Sequence, residues 1–391
     1  MSMPRTLCAV TALAGLLLAC SPAQSTDAAA PPAATSSNAF APNFASLDNP
    51  LPAAPAPAVC GDIASLPTRD KLAQLLMVGV TGAADAQAAV ADHKVGGIMI
   101  GSWTDLSMLG APLAGIAGSA TALPLGVSVD EEGGRVSRLA SIIGSQPSAR
   151  VLAETKSADE VYGIALERGR AMRGLGITID FAPVLDVTAD SAAIGDRSFG
   201  DDPAVVTEYA GAYARGLRDA GVLPVLKHFP GHGRATGDSH TGSVSTPPLA
   251  ELKDNDLVPY RTLTAAAPVA VMVGHMQVPG LTGSDPASLS PAAYGLLRSG
   301  GYGGPGFGGV VFTDDLSSMA AINARYGVAE AVLRSLQAGA DVALWITTTE
   351  VPAVLDRLEQ AVAAGELSQG AVDASLQRLA ASKGPNPNCG G

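Results

Sequence analysis

One short stretch of this sequence concentrates residues that can move protons. Residues 227 to 242 read KHFPGHGRATGDSHTG and contain three of the chain's five histidines. Asp238 and His240 lie two residues apart, close enough for the carboxylate to orient the imidazole and stabilise its charged form. The unperturbed pKa of histidine is about 6.5, so His240 can give and take a proton near neutrality. The glycines of the stretch predict a loop from Gly231 to Gly242 that is mobile and partly open without ligand.

The same stretch raises the alternative of a metal site, because His228 and His232 have the spacing of neighbours on one helical turn. Pro230 and Gly231 stand between them and disfavour a helix, and no cysteine or paired acidic residue completes a ligand set. We therefore expect no metal at this pair of histidines. For His232, a purely structural role as a hydrogen-bonding residue of the loop stays open.

A second candidate site lies in the run VVFTDDLSSM, where Asp314 and Asp315 follow an apolar strand. Adjacent residues at a strand end point in different directions, so only one carboxylate can act as a nucleophile in a shared site. The other can cap the following helix, whose first turn is expected near residues 316–318. The pattern alone does not choose between the two aspartates.

Two further segments carry groups that suit a polyhydroxylated ligand. VDEEGGRVSRL places Asp130 at a strand end, with Arg138 eight residues on, and GDRSFGDD brings Arg197 into a turn-rich loop. A carboxylate accepts from pairs of hydroxyl groups, while Arg197, Arg138 and Lys227 can donate to hydroxyl, carbonyl or carboxylate oxygens. Taken singly, such pairs are also ordinary features of a solvated surface.

These residues need elements that bring them together, and the sequence contains short apolar runs bounded by Gly, Pro or Asp that indicate strands. The predicted strands are Leu72–Val80, Val95–Ile100, Leu123–Asp130, Ile177–Val187, Val222–Phe229, Val269–Met276, Val310–Asp315 and Asp341–Trp345. Helical patterns intervene, for example at 160–175, 204–220 and 328–338. This alternation is typical of parallel strands covered on both faces.

Eight such units predict a single catalytic domain of the α/β class, a (β/α)8 TIM-type barrel, with a doubly wound open sheet as the main alternative. The polar residues singled out, together with His275, lie at or near the carboxyl ends of the predicted strands. In a barrel these ends converge on one face, where barrel enzymes carry their chemistry. The sequence therefore predicts one active site on that face.

The composition and the first residues bear on partners and location. A formal charge of -12 argues against a surface that binds nucleic acid. Residues 1–19 have a cationic start and an apolar stretch too short to span a bilayer, as export signals do. The ending LLAC resembles a bacterial lipobox, which implies lipidation of Cys20 and a lipoprotein on the outer face of the cell membrane. The alternative is an ordinary cleaved signal and a secreted protein.

The regions outside the barrel have their own compositions. Residues 20–59 are almost all Ala, Pro, Ser, Thr and Asn, which indicates a disordered linker between the lipid anchor and the enzyme. The barrel domain is predicted at 60–383, followed by a short tail at 384–391. Cys60 and Cys389 flank the barrel domain, and in an exported protein they can pair as a disulfide or stay free.

Taken together, DEEGGRVSR, APVLDV, GDRSFGDDP, KHFPGHGRATGDSHT and VVFTDDLSSM resemble glycoside hydrolase family 3, in particular its single-domain β-N-acetylhexosaminidase branch. The chain is also similar overall to exported lipoprotein β-N-acetylglucosaminidases of actinobacteria. The resemblance runs from about residue 66 to 380 and implies a barrel, in agreement with the strand pattern. It implies no metal or organic cofactor.

The resemblance also implies roles for the residues. Asp314 would be the nucleophile, with Asp315 structural, and His240 would be the general acid/base with Asp238 as its partner. Five positions would hold the terminal N-acetylglucosamine, namely Asp130, Arg138, Arg197, Lys227 and His228.

The implied function is a retaining exo-β-N-acetylglucosaminidase that acts, as a monomer, on peptidoglycan fragments in which N-acetylglucosamine is linked to N-acetylmuramic acid. A histidine acid/base lacks the negative charge that repels phosphate, so a phosphorylase of the same family is one alternative. A catalytically silent lipoprotein that binds wall sugars is an alternative from another class. Every proposed catalytic position is filled, which disfavours the silent protein.

Overall fold

The computed structural model describes residues 63–383, with the exception of residues 192 and 267. The predicted signal segment, linker and tail lie outside the described residues. The same holds for Cys20, Cys60 and Cys389. Within the described part of the chain, no helix is both long and apolar enough to cross a membrane.

Eight parallel strands form the barrel, and their sequence order is also their spatial order. They are β1 (Leu76–Val80), β2 (Gly97–Ile100), β3 (Gly126–Val129), β4 (Ile179–Asp180), β5 (Leu223–Phe229), β7 (Ala270–Val273), β9 (Val311–Thr313) and β10 (Ala343–Trp345). A parallel bridge between Phe312 and Val342 links β9 to β10, and β10 pairs with β1. This closes the circle, so the predicted (β/α)8 barrel is confirmed and the open sheet is not.

The predicted strands are found in their predicted places, but each is shorter than its predicted run. The run Ile177–Val187 forms a strand only at Ile179–Asp180, with one further bridge between Val184 and Lys227. Pro183 lies between these two points and has no N–H to donate to a neighbouring strand. The predicted first strand begins late because Leu72 and Ala73 belong to a helix.

The helices cover the outside of the barrel. They are α1 (Thr68–Ala73), α2 (Ala83–Ala91), α3 (Ala111–Gly118), α4 (Ala140–Ile143), α5 (Ala149–Thr155), α6 (Ala158–Gly174), α7 (Pro203–Asp219), α8 (Leu249–Asp254), α9 (Val258–Leu263), α10 (Pro291–Ser299), α11 (Ala320–Asn323), α12 (Val328–Ala338), α13 (Val351–Ala363) and α14 (Gln369–Lys383). Short 3₁₀ turns occupy Ile63–Ser65, Leu106–Met108, Gly195–Arg197 and Ala287–Leu289.

The long helices α6 and α7 show how local sequence sets this layer. Ser157 and Glu160 form a capping box that fixes the start of α6, and Asp202 caps α7. Gly216 of α7 lies so close to α6 that an added Cβ would stand 2.5 Å from the Tyr162 carbonyl oxygen. Glycine therefore lets the two helices approach closely, and both pack their apolar sides on the barrel.

A small parallel pair of strands, β6 (Val244–Ser245) and β8 (Met276–Gln277), stands apart from the barrel. β6 follows the histidine-rich loop and β8 follows the carboxyl end of β7, so the pair ties the returning end of that loop to the barrel rim. The loop is thereby held at both ends on the face where the barrel strands finish.

Candidate active site

The carboxyl ends of the barrel strands bring the predicted site residues to one end of the barrel. Asp130 follows β3, Lys227 and His228 lie near the end of β5, and Asp314 follows β9. All these strands run parallel, so their ends finish on one face. As predicted, these residues therefore converge on the face of the barrel that carries the active site in barrel enzymes.

A buried group of charges lies at the centre of this face. The Lys227 ammonium is 2.6 Å from Asp130 Oδ1 and 2.6 Å from Glu132 Oε1. Arg197 donates to both oxygens of Glu132 through Nε and Nη2, each at 2.8 Å. Lys227 and Glu132 are each only 3% exposed, so these pairs form in a low dielectric. We refer to Asp130, Glu132, Arg197 and Lys227 as the charge cluster.

Three members of the charge cluster, Glu132, Arg197 and Lys227, stay ionised despite their burial. Burial by itself would raise the pKa of Glu132, but the neighbouring Arg197 and Lys227 outweigh it and hold that pKa well below its usual range. Burial would likewise lower the pKa of Lys227 and of Arg197, yet the facing carboxylates raise both. The pocket thus presents fixed charges whose positions are set before a ligand arrives.

His228 extends the charge cluster towards the histidine-rich loop. Its Nδ1 is 2.6 Å from Oδ2 of the buried Asp186, and its Nε2 is 3.4 Å from Nη2 of Arg197. A guanidinium only donates, so Nε2 accepts and the proton lies on Nδ1, which donates to Asp186. Burial would raise the pKa of Asp186, but His228 and His232 lower it.

Asp314 follows β9, and hydrogen bonds hold both its main chain and its carboxylate in place. Its N–H donates to the Val273 carbonyl oxygen at 3.0 Å, and its Oδ1 accepts from the Asp315 N–H at 2.9 Å. Burial alone would raise the pKa of Asp314, but interactions with His275, His228 and Lys227 and the Asp315 N–H lower it to about 2. Asp314 is therefore an ionised carboxylate at neutral pH.

Asp315 has a different environment, which separates the two aspartates that the sequence left open. Its Oδ1 accepts from the N–H and hydroxyl of Ser317 at 2.8 and 2.7 Å, and its Oδ2 accepts from the N–H and hydroxyl of Ser318. This carboxylate is committed to a local turn. The expected helix start at 316–318 is wrong, because those residues form the turn and α11 begins at Ala320.

His275 supports the peptide that carries the two aspartates. Its Nε2 is 2.8 Å from the Asp315 carbonyl oxygen and its Nδ1 is 2.6 Å from the Ser288 hydroxyl. A carbonyl only accepts, so Nε2 carries the proton, and burial lowers the pKa of this histidine. A neutral His275 thus holds the chain immediately after Asp314.

The Asp238 and His240 pair lies in a different environment. His240 Nδ1 is 2.7 Å from Asp238 Oδ1, which also accepts from the His240 main-chain N–H at 3.0 Å. The His240 side chain is 62% exposed. The carboxylate fixes the proton of the ring on Nδ1 and leaves Nε2 facing away from Asp238. The sequence-based pairing of these two residues is therefore present in the structure.

The first part of the histidine-rich loop is tightly packed. A Cβ added to Gly233 would stand 2.4 Å from the Val187 carbonyl oxygen, and one added to Gly231 would stand 2.6 Å from Asp256 Cβ. The His232 N–H donates to Asp186 at 2.6 Å, and its Nε2 lies 3.2 Å from the Ser239 hydroxyl. These contacts give His232 a hydrogen-bonding role in the loop. The mobility expected for the loop from Gly231 to Gly242 stays a prediction.

Arg138 lies on the loop after β3 and differs from Arg197. Its main-chain N–H donates to Glu131 Oε2 at 2.7 Å, whereas its guanidinium has no hydrogen-bonding or ion-pair partner among the described residues. Glu131 is buried, pairs with Arg168, and also accepts from the Leu139 N–H. This network shapes the loop and leaves the Arg138 guanidinium available for a ligand.

The histidines do not form a metal centre in the part of the chain that the structure describes. No group of three or more His, Cys, Asp and Glu side chains there could hold a metal ion. The rings of His228 and His232 have centroids 6.0 Å apart, and both residues bind Asp186. The expectation of a site without metal stays a prediction.

Sequence reasoning missed two residues that hold the site together and assigned no role to a third, His275, which it had placed at a strand end. Glu132 joins both cations of the charge cluster, Asp186 orients His228, and His275 fixes the turn after Asp314. Each had a local signal, since Glu132 follows Asp130 by two residues and the other two lie near strand ends. Their partners are far away in the sequence, so only the fold reveals what they bind.

A closed (β/α)8 barrel with carboxylates, cations and a histidine–aspartate pair at the carboxyl ends of its strands defines a barrel hydrolase. Residues 67–381 match the Glycosyl hydrolase family 3 N terminal domain. The chain is 62% identical to "Beta-hexosaminidase LpqI" of Mycobacterium tuberculosis, with 100% of both chains covered. The chain therefore belongs to glycosyl hydrolase family 3.

Solved structures agree with this assignment. A crystal structure of a GH3 glycosyl hydrolase from Mycobacterium smegmatis is 81% identical with a TM-score of 0.82, covering 83% of this chain and 99% of that one. A GH3 β-N-acetylglucosaminidase from Paenibacillus is 36% identical with a TM-score of 0.76, covering 82% of this chain and 62% of that one. The recognition of the sequence as a glycoside hydrolase of the β-N-acetylhexosaminidase branch is thus confirmed.

Proposed function

We propose that this glycoside hydrolase is an exported enzyme that removes terminal β-linked N-acetylglucosamine from peptidoglycan fragments with retention of configuration. The observation that carries the proposal is Asp314, an ionised carboxylate at the end of β9, beside a buried pocket of fixed charges. The relatives named as hexosaminidases and β-N-acetylglucosaminidases support this sugar as the group that is removed.

In the first step, an Asp314 carboxylate oxygen attacks the anomeric carbon and forms a glycosyl ester as the glycosidic C–O bond breaks. The pKa of about 2 keeps this group ionised at neutral pH. The hydrogen bond from the Asp315 N–H to Oδ1 orients the carboxylate and leaves Oδ2 for the sugar. The fixed turn at Asp315 and the support from His275 hold the nucleophile still during the attack.

His240 supplies and removes the proton. Its Nε2–H gives a proton to the departing glycosidic oxygen, and the neutral ring then takes a proton from the water that attacks the glycosyl ester. Asp238 accepts from Nδ1 throughout, so it selects the tautomer with Nε2 free and stabilises the imidazolium form. Because His240 is exposed, the part of the loop that carries Asp238 and His240 must move towards the bound sugar to bring Nε2 to the glycosidic bond.

A histidine in this role changes the electrostatics of the site. The usual pair of catalytic carboxylates would repel each other, whereas an imidazolium and the Asp314 carboxylate attract. The stereochemical outcome therefore cannot be read from a separation between two carboxylates. Retention follows instead from the proposed ester intermediate on Asp314.

The charge cluster forms the pocket for the sugar. Asp130 uses Oδ1 for Lys227, which leaves Oδ2 to accept from sugar hydroxyls. Lys227 and Arg197 donate from fixed positions, and His228 lies beside Arg197 as a further wall of the pocket. The Arg138 guanidinium, which has no partner among the described residues, adds a donor at the loop after β3. Such fixed polar groups recognise a ring with several hydroxyls and an acetamido carbonyl.

The aglycone side is proposed to receive a second sugar. Trp103 lies in the loop after β2, at the same end of the barrel as the site residues, and this residue is 42% exposed. An exposed indole offers a flat face for the apolar side of a sugar ring. Together with the export signal and lipobox at Cys20, this supports muropeptides outside the membrane as substrates of a monomeric lipoprotein.

The test uses the wild-type enzyme with the disaccharide in which N-acetylglucosamine is β-1,4-linked to N-acetylmuramic acid. We expect free N-acetylglucosamine whose first-formed anomer is β, observed by proton NMR before mutarotation, and no sugar 1-phosphate when phosphate is added. The corresponding β-glucoside is the control and should not be cleaved. An α first product would contradict retention, and a sugar 1-phosphate would favour phosphorolysis.

The location is tested separately by replacing Cys20 with alanine. We expect the wild-type chain in the detergent-soluble membrane fraction and the Cys20→Ala chain in the soluble or uncleaved precursor fraction. A matched Cys8→Ala chain should behave like wild type. Equal membrane attachment of the Cys20→Ala chain would contradict the lipid anchor.

A further inference from the structure

A chamber of about 370 Å³ lies at the opposite end of the barrel from the site described above. Its walls come from residues at the starts of the strands, including Leu76, Gly97, Gly126 and Leu223, whereas the catalytic groups stand at the strand ends. The volume falls within the range of small-molecule sites, which is about 300–1,000 Å³. Neither the family assignment nor the proposed reaction uses this chamber.

The wall of the chamber is apolar and is built around glycine. Gly97 and Gly126 begin β2 and β3, and a Cβ on Gly97 would stand 2.4 Å from the Met77 methyl group, Cε. The absence of these side chains lets the ends of Met77 and Ile179 turn inward and line the chamber. An apolar chamber of this kind favours a hydrocarbon group over a sugar or a nucleotide.

The chamber shares no wall residue with the charge cluster or with Asp314. Phe312 of β9 lines it and meets the edge of the Phe181 ring, with centroids 5.6 Å apart. Phe181 follows β4 and is fully buried. The chamber is therefore a site of its own, distinct from the sugar pocket.

The charged residues of the chamber are all positive. Arg173 of α6, Arg218 of α7 and Lys383 of α14 line it, and no Asp or Glu is among the described residues of the wall. Lys383 Nζ donates to the Gly96 carbonyl oxygen at 3.0 Å, and Arg173 is 3.5 Å from the Ile177 carbonyl oxygen. Arg218 makes a long contact to the neighbouring Asp219 at 3.4 Å and binds the Ala266 carbonyl oxygen.

Lys383 is the least compensated of these cations. Among the described residues it has no ion-pair partner, and burial lowers its pKa to about 7. A bound anion beside this ammonium would offset the cost of burying it and would raise its pKa again. Three cations around the mouth of an apolar chamber thus match a molecule with one anionic end and one hydrocarbon end.

We propose that the chamber binds a single-chain fatty carboxylate, with its hydrocarbon chain among the apolar side chains and its carboxylate beside Lys383, Arg173 and Arg218. The ligand is held by burial of the chain and by charge-assisted hydrogen bonds at the mouth. This site goes beyond the proposed glycosidase function and does not depend on it.

The test is isothermal titration calorimetry of the full-length protein with decanoate, below the concentration at which decanoate forms micelles. At pH 7.5 we expect binding of one decanoate per chain. Comparison of two buffers with different ionisation enthalpies should show proton uptake, because the carboxylate raises the pKa of Lys383. Acetate lacks the hydrocarbon chain and 1-decanol lacks the carboxylate, so both should bind more weakly than decanoate.

Two variants change the chamber in different ways. Lys383→Met removes the charge and keeps the length, so decanoate affinity should fall about tenfold and the proton uptake should be lost. Ser382→Trp fills the mouth and should abolish binding. Lys156→Met is the matched control, because Lys156 is a half-exposed surface lysine paired with Glu160. All three variants should keep wild-type cleavage of a nitrophenyl β-N-acetylglucosaminide, which reports folding.

Several results would overturn the proposal. They are no decanoate binding by wild type, equal affinity and equal proton uptake in Lys383→Met, or equal affinity for 1-decanol. Binding to vesicles containing phosphatidylglycerol that Ser382→Trp retains, without binding of monomeric decanoate, would assign the cations to surface attraction instead. Failure of the glycosidase assay in the wild-type protein would leave the calorimetric result unaffected, so the two proposals fail separately.

Discussion

Two parts of the active-site face differ in how they hold their polar groups. In the charge cluster, Lys227 and Glu132 are each 3% exposed and pair at 2.6 Å. In the histidine–aspartate pair, His240 is 62% exposed and binds its partner across a single loop. The first arrangement is set by strands β3 and β5 and by a distant loop, whereas the second is set by two residues of separation.

This difference indicates that the charge cluster is rigid, whereas the exposed pair is free to move with its loop. Buried pairs are costly to form and strongly destabilising to break singly, so they belong where geometry must not change. An exposed pair contributes little to stability and can therefore travel with its loop. In the proposed mechanism, sugar recognition and the nucleophile therefore lie on rigid strand ends, and the proton donor lies on the exposed part of a loop.

The largest effect is expected at the fixed nucleophile. Asp314→Asn should lower kcat for a nitrophenyl β-N-acetylglucosaminide by about 10⁴-fold or more, because no ester can form. Melting temperature should stay close to wild type, since the side chain keeps its size. Asp285→Asn, at an exposed pair with Arg325, is the matched control and should keep full activity. Substantial turnover by Asp314→Asn would remove this residue from the role of nucleophile.

The next effect is expected at the exposed pair and should depend on the leaving group. His240→Ala should lower kcat for the muropeptide disaccharide by about 10²- to 10⁴-fold. The loss should be smaller for a nitrophenyl glycoside, whose leaving group needs little protonation, and stability should not change. His93→Ala is the control histidine, outside the active-site loop. Equal losses of kcat on both substrates would indicate a structural role for His240 and would contradict its proposed role as the proton donor.

Breaking the buried cluster should instead cost stability. Glu132→Gln leaves Lys227 and Arg197 without their shared carboxylate and should lower the free energy of unfolding by about 3–5 kcal/mol. The control Glu330→Gln removes an exposed pair with Arg334 and should change it by about 0.5 kcal/mol or less. Urea denaturation of both variants measures the difference. Similar values for the two would contradict the contrast drawn between buried and exposed pairs.

The pH dependence of the free energy of unfolding should reflect the ionisation of the Glu132 carboxylate. The pKa of Glu132 is lowered in the folded protein, so its contribution is complete above the unfolded value of about 4.3 and is lost as the pH falls below it. The pKa of Lys227 is raised, so its contribution is lost only at alkaline pH above about 10. The difference in melting temperature between wild type and Glu132→Gln should be constant from pH 6 to 9 and shrink below about pH 4. A difference that grows on acidification would contradict this sign.

The smallest effect is expected at the exposed Trp103. Trp103→Ala should raise KM for the disaccharide by about three- to tenfold through the loss of stacking, with kcat little changed. KM for a methyl β-N-acetylglucosaminide, which has no second ring, should stay the same. Val151→Ala is the control, since Val151 is also an exposed apolar residue at 41%. Equal changes for both substrates would exclude a contact with the second sugar.

Much of the fold was predictable because periodic apolar runs report burial locally. Each of the eight runs contains a barrel strand, and the helix at Val328–Ala338 matches its predicted bounds. The strand lengths were less predictable, because pairing ends where a neighbour stops or where Pro183 interrupts it. Closure of the circle was also less predictable, because it requires the last strand, β10, to pair with the first, β1, at Ala343 and Leu76, which are far apart in the sequence.

By itself, the sequence determined the eight strand-and-helix units, the family motifs and the close pairing of Asp238 with His240, because each depends on residues near one another in the chain. Tertiary structure decided the rest. It separated Asp314 from Asp315 through different hydrogen bonds, and it brought Glu132 to Lys227 across 95 positions of sequence. It also formed the chamber at the starts of the strands, which combines apolar walls with three cationic side chains. Burial, long-range charge pairing and empty volume arise only when distant segments meet, so one-dimensional patterns do not contain them.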